Sequence, residues 1–178
     1  DQGKYMSPQG APLAPFFTPK VIQAYCTSSP IDTLIVTEGE FKAIKGDRHG
    51  LYVIGLPGIQ GFYGDLPGHI HYGIANVIRR CKVKEGIYLT DADTLTVNWK
   101  KDKDLSIRPG NFHSAVMNFR ESLEFLLTDK DEALERIQFY SISRRFDKEE
   151  AKGLDDLMVK YPAKIPDIIK DLTQTHGN

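Results

Sequence analysis

Apolar residues along this chain fall into short β-branched runs separated by amphipathic stretches, a pattern that predicts strands alternating with helices. Leu34-Ile35-Val36 is a continuous apolar run bounded by turn residues, which reads as a strand buried on both faces. Leu51-Tyr52-Val53-Ile54 and Ile87-Tyr88-Leu89 repeat the pattern, and Ile137 to Ile142 supplies a fourth strand. Thr18-Pro19 predicts a helix start, and Ser28-Ser29-Pro30 ends that helix. Gly39 permits a tight turn into a second helix through Phe41, Lys42, Ala43 and Ile44, and a third is expected from His69 to Arg80.

Asn111 is the expected cap of a long helix from Phe112 to about Leu127, because Val116, Phe119, Leu123 and Leu126 recur at three- and four-residue steps. Further helices are expected from Leu154, with a break near Tyr161-Pro162, and from Lys164 to Leu172. Gly55-Leu56-Pro57-Gly58 opens a glycine-rich loop running to Gly64, and polar loops are expected from Thr94 to Pro109 and from Arg144 to Lys152. Strands joined through helices imply right-handed crossovers, hence an α/β fold in which the four strands form a mainly parallel sheet with helices on both faces.

Composition narrows the function classes. At 178 residues, 40% of them hydrophobic, the chain can bury one sizeable core. Its 23 basic and 24 acidic side chains leave a net charge of -1, so polyanion binding must come from local patches. Cys26 and Cys81 lack any CxxC or Cys/His spacing, so neither a disulfide framework nor a zinc site is expected. No apolar run approaches the roughly 18 residues that span a bilayer, and no leader pattern is visible, which leads us to expect a cytoplasmic protein without a membrane partner. The start at Asp1, in a Pro- and Gly-rich segment, suggests a piece of something longer, although proteolytic maturation would look the same.

Candidate chemistry lies in acidic clusters at predicted strand ends. Thr37-Glu38-Gly39-Glu40 follows the first strand and Asp91-Ala92-Asp93 the third, while Asp155-Asp156 waits downstream. Open α/β sheets bind ligands at the C-terminal ends of their strands, and aspartates two apart on a strand end point to the same side. Mg²⁺ takes oxygen ligands and keeps several waters, so Asp91 and Asp93 with a substrate phosphate would suffice. Mutual repulsion among clustered carboxylates raises the proton affinity of at least one, which suits Glu38 to proton transfer. The plainer alternative is that these are turn and cap residues, with Glu40 a solvated first-turn residue.

Ile35-Val36-Thr37-Glu38-Gly39-Glu40-Phe41-Lys42-Ala43, Leu56-Pro57-Gly58, Thr90-Asp91-Ala92-Asp93 and Lys152-Gly153-Leu154-Asp155-Asp156-Leu157 together resemble the Toprim domain of topoisomerases and bacterial-type primases. The likeness is nearest to the Toprim-like domain of primase/helicase proteins carried by plasmids, phages and other mobile elements, and it covers Ile31 to Lys160. It implies residues 1–30 as an N-terminal extension with a short helix, 31–160 as the Toprim-like domain and 161–178 as a helical extension. It further implies a Rossmann-like Toprim fold, with a central four-stranded sheet, and nucleotidyl or phosphodiester chemistry dependent on Mg²⁺ or Mn²⁺, within DNA replication. On that likeness Glu38 is the acid/base or a metal ligand, Asp91 and Asp93 hold the metal, and Asp155 and Asp156 complete or orient the site. Lys42 matches the family's helix-opening lysine, with a solvated helix face as the alternative.

Implied partners are a single-stranded DNA template and nucleotide triphosphates, with a helicase or other domains of a longer parent protein. A Toprim-type nuclease and a non-catalytic nucleic-acid-binding module are the rival readings. Basic clusters at Arg79, Arg80, Lys82 and Lys84, at Lys100, Lys101, Lys103 and Arg108, and at Arg144, Arg145, Lys148 and Lys152 can neutralise phosphates or simply face solvent. Trp99 can anchor its loop or stack on a base.

Overall fold

The computed structural model describes residues 14–64, 68–91, 107–127, 136–141 and 153–174. The four expected strands form: β2 (Thr33–Glu38), β3 (Tyr52–Leu56), β4 (Glu85–Thr90) and β5 (Arg136–Ser141). All four run parallel, with Leu34 opposite Tyr52, Thr37 opposite Leu89 and Ile87 opposite Gln138. A fifth strand, β1 (Phe16–Phe17), pairs antiparallel with β3, so the sheet is mixed and its order is β1-β3-β2-β4-β5. Two residues carry no periodicity, which is why the hydrophobic pattern does not announce this edge.

Six helices are described: α1 (Pro19–Thr27), α2 (Glu40–Arg48), α3 (Tyr72–Arg80), α4 (Ile107–Leu127), α5 (Leu154–Lys160) and α6 (Ile165–Gln174). Because side chains alternate along a strand, each apolar run feeds two cores at once. Leu34, Val36, Ile54, Leu56 and Tyr88 pack against Val21 and Ala24 of α1, Ile74 and Val77 of α3, and Phe119 and Leu123 of α4. On the other face Ile35, Val53, Ile87 and Leu89 meet Ala43 of α2, Leu154, Leu157 and Met158 of α5, and Ile168 of α6. The α/β class and the helix cover on both faces therefore stand as the pattern predicts.

Connection geometry fixes where a ligand site can lie. The chain steps from β2 to β3 through α2 on one face, then from β3 to β4 and on to β5 through α3 and α4 on the opposite face. A single crossover hand requires that split, because the direction of travel across the sheet reverses. The reversal leaves a topological switch point between β2 and β4, the usual crevice for a ligand in such sheets.

Two helix starts differ from expectation. α3 begins at Tyr72 rather than His69, because the His71 side chain caps it, Nδ1 accepting from the Gly73 amide at 3.1 Å. α4 begins at Ile107, which places Pro109 and Gly110 in its first turn and makes Asn111 an interior residue instead of a cap. Proline is tolerated there because first-turn amides have no intrahelical partner to lose. Among the described residues no helix is long and apolar enough to cross a membrane.

Candidate active site at the C-terminal edge of the sheet

The turn that leaves β2 places the first candidate residues. Gly39 adopts φ 94°, a region costly to any residue with a Cβ, and its amide donates to the Leu56 carbonyl at 2.9 Å. Gly55 lets α2 start hard against β3: a Cβ there would lie 3.0 Å from the Gly39 carbonyl oxygen and 3.1 Å from Glu40 Cα. Lys42, in the first turn of α2, then reaches the end of β4. Its Nζ lies 2.7 Å from both carboxylate oxygens of Asp91. With side-chain exposures of 16% and 22%, the pair is partly shielded from water and couples more strongly than a surface ion pair.

The start of α5 closes onto the same place. Gly153 is buried, and a Cβ on it would meet Asp155 Oδ1 at 2.7 Å, Lys42 Cε at 2.7 Å and Asp91 Oδ1 at 3.2 Å. Three chemistry-bearing side chains from segments far apart in sequence thus converge on one glycine. Asp155 and Asp156 are half-buried in the first turn of α5, where the helix dipole favours negative charge.

Glu38 occupies the other side of the strand ends. By alternation it shares the face of Leu34 and Val36, whereas Asp91 continues the face of Ile87 and Leu89. Its neighbour is Tyr88, whose hydroxyl is held well above the usual tyrosine range by burial and, secondarily, by the Glu38 charge. That hydroxyl donates to the Ile59 carbonyl at 2.6 Å, and the ring stacks on Phe119 at 4.9 Å. Phe62 stands edge-on to both rings, at 6.3 and 5.1 Å. The glycine-rich loop after β3 is therefore pinned to the core beside Glu38.

Among the expected site residues, Lys42, Asp91 and Asp155 are brought together, and Glu38 lies across the strand ends from them. Asp93, Lys100, Lys101, Lys103, Arg144, Arg145 and Lys152 lie outside the described residues, as does Trp99. Three members of the first basic cluster, Arg79, Arg80 and Lys84, make contacts within the fold. Arg79 donates to the Leu126 carbonyl at 3.5 Å, Arg80 to Ser28 Oγ at 2.9 Å while lying over the Tyr25 ring, and Lys84 pairs with Asp32 at 2.9 Å. Sequence reasoning passed over Gly153 and Tyr88. The signal for Gly153 was its place directly before Asp155-Asp156; for Tyr88 it was a lone hydroxyl inside an apolar strand.

These residues fit a Mg²⁺ site of the kind that substrate completes. Asp91 and Asp155 bring hard carboxylate oxygens to the same glycine, and Mg²⁺ needs only one or two carboxylates beside water and phosphate. Among the described residues no group of three or more His, Cys, Asp or Glu side chains is placed to hold a metal ion. Comparison of the chain with protein-family models, with curated proteins and with solved structures gives no match.

Proposed function

We propose that this chain is the Toprim-like catalytic domain of a primase-type DNA replication protein, joining nucleotides on a single-stranded template with Mg²⁺. One observation carries the reading: Lys42, Asp91 and Asp155 converge around Gly153 at the switch point of the sheet. A structural ion pair alone would need no second carboxylate and no glycine pressed against both partners. Bound at Asp91 and Asp155, with Asp93 and Asp156 in support, Mg²⁺ would supply charge neutralisation at the reacting phosphate. Glu38 accepts the proton of the attacking hydroxyl as its oxygen bonds to the α-phosphorus of the incoming triphosphate and pyrophosphate leaves, and Lys42 holds phosphate oxygens as a point charge. The loop pinned by Tyr88 forms a fixed wall beside Glu38.

Labelled single strands incubated with and without nucleotide triphosphates test the proposal. Extended product is expected only with triphosphates, and Glu38→Gln should lower its rate by about 100-fold, a typical loss for a general base. Shortened strands formed without triphosphates would replace this reading with a hydrolytic one. DNA binding without product, indifferent to Mg²⁺ and to Glu38→Gln, would replace it with a non-catalytic one.

A further inference from the structure

Lys42 has a position that phosphate binding alone does not explain. Its ammonium does not project toward solvent but sits 2.7 Å from each oxygen of Asp91, facing the whole carboxylate. A divalent cation bound to either oxygen would share that carboxylate with Nζ, and the two positive charges would repel at contact distance. We infer that Lys42 is a built-in counterion that keeps Asp91 from a divalent cation until a phosphate draws the ammonium away. The inference rests on the metal site proposed above and adds an order of events to it.

Charge counting supports this order. Docked on Asp91, the Lys42 ammonium offsets one of the two carboxylate charges that Asp91 and Asp155 bring to Gly153, and a phosphate that takes up the ammonium gives that charge back. The site becomes a divalent-cation site only when phosphate is present. Its geometry permits the exchange. Gly153 leaves room for Lys42 Cε, the side chain retains 16% exposure, and a flexible four-carbon stem lets the ammonium swing without moving α2. A ligand that brings phosphate and metal together, such as a triphosphate with its bound cation, satisfies both requirements. Free metal meets a closed site, which protects a replication domain from loading a cation without substrate.

Mn²⁺ binding to the chain without nucleotide, followed by the loss of the free-ion electron paramagnetic resonance signal, tests this directly. Lys42→Met should bind Mn²⁺ at least tenfold more tightly than wild type, because a unit positive charge at this separation and partial burial has been removed. The gain should disappear in the double variant Lys42→Met/Asp91→Asn. Lys42→Gln, which keeps a polar tip, should show the same direction, and covers the case in which methionine is not accommodated. Equal, Asp91-dependent affinity in wild type, Lys42→Met and Lys42→Gln would overturn the counterion role while leaving the metal site standing. Absence of Asp91-dependent Mn²⁺ binding from every variant would overturn the metal site, and the counterion role with it.

Discussion

Alanine at Gly55 and alanine at Gly153 add the same methyl group to two buried backbone positions, and their surroundings dictate opposite outcomes. At Gly55 the new Cβ would lie 3.0 Å from the Gly39 carbonyl oxygen, 3.1 Å from Glu40 Cα and 3.2 Å from Ala43 Cβ. Two of these are backbone atoms of a turn fixed by the Gly39 to Leu56 hydrogen bond, so α2 itself must move. Overpacking of this kind costs about 1–3 kcal/mol. For a chain of this size that lowers Tm by roughly 2–12 °C. At Gly153 the close atoms are Asp155 Oδ1, Lys42 Cε and Asp91 Oδ1, all on side chains that can swing aside. The backbone there is extended, with φ -132°, so alanine fits without strain and gains about 0.4–1 kcal/mol from a less flexible unfolded chain.

Gly153→Ala should therefore unfold in urea within about 1 kcal/mol of wild type. The displaced tips are those of the proposed site, and a shift of about 1 Å at such a place costs on the order of 100-fold in rate. Primer synthesis should fall while the unfolding midpoint stays. A Gly153→Ala protein with wild-type site behaviour would refute the convergence of these side chains, as would a stability loss larger than that of Gly55→Ala.

Two further outcomes follow from other parts of the molecule. Tyr88→Phe keeps the ring stack on Phe119 but removes the hydrogen bond to the Ile59 carbonyl, so it should cost about 0.5–1.5 kcal/mol in urea unfolding. Because the folded hydroxyl ionises above the ordinary 10.0, the unfolded chain loses its proton first, and wild-type stability should fall as pH rises past 10.0 by up to about 1.4 kcal/mol per pH unit from this group. Tyr88→Phe should flatten that slope. For the thiols, a disulfide exchange reagent should label exposed Cys26 rapidly, and Cys81, buried with its thiol pKa pushed up, only after unfolding; two fast native thiols would contradict this packing.

The strands were legible because a run such as Leu34-Ile35-Val36 serves two cores, and burial on both faces leaves a continuous apolar signal. Helix α1 was legible from Thr18-Pro19, but only Pro19 acts locally there: the Thr18 hydroxyl does not cap the helix and instead donates to the Val53 carbonyl of β3 at 2.9 Å. Helix α4 begins earlier than its capping signal because Pro109, read as the end of a polar loop, and Gly110 are harmless in a first turn. The strand-end carboxylates could be placed at the sheet edge from sequence, but not their partners. The pairing of Lys42 with Asp91 depends on the tilt of α2 against β3, which the close approach at Gly55 sets and no periodicity encodes. Nor could spacing reveal that Glu38 and Asp91 leave adjacent strands toward opposite faces, since that depends on the register of Thr37 against Leu89.

The interior place of β2, hydrogen-bonded to β3 on one side and β4 on the other and covered by a core on each face, has a consequence for thermal motion. Strands so enclosed open only when the whole molecule opens, whereas helix ends loosen at a small fraction of that free energy. Glu38 ends the slowest-opening segment, while Lys42 and Asp155 ride on first turns of helices. On warming, the proposed site comes apart from its helical side: the Lys42–Asp91–Asp155 cluster loosens while Glu38 is still held in register, so loss of that cluster precedes loss of the fold.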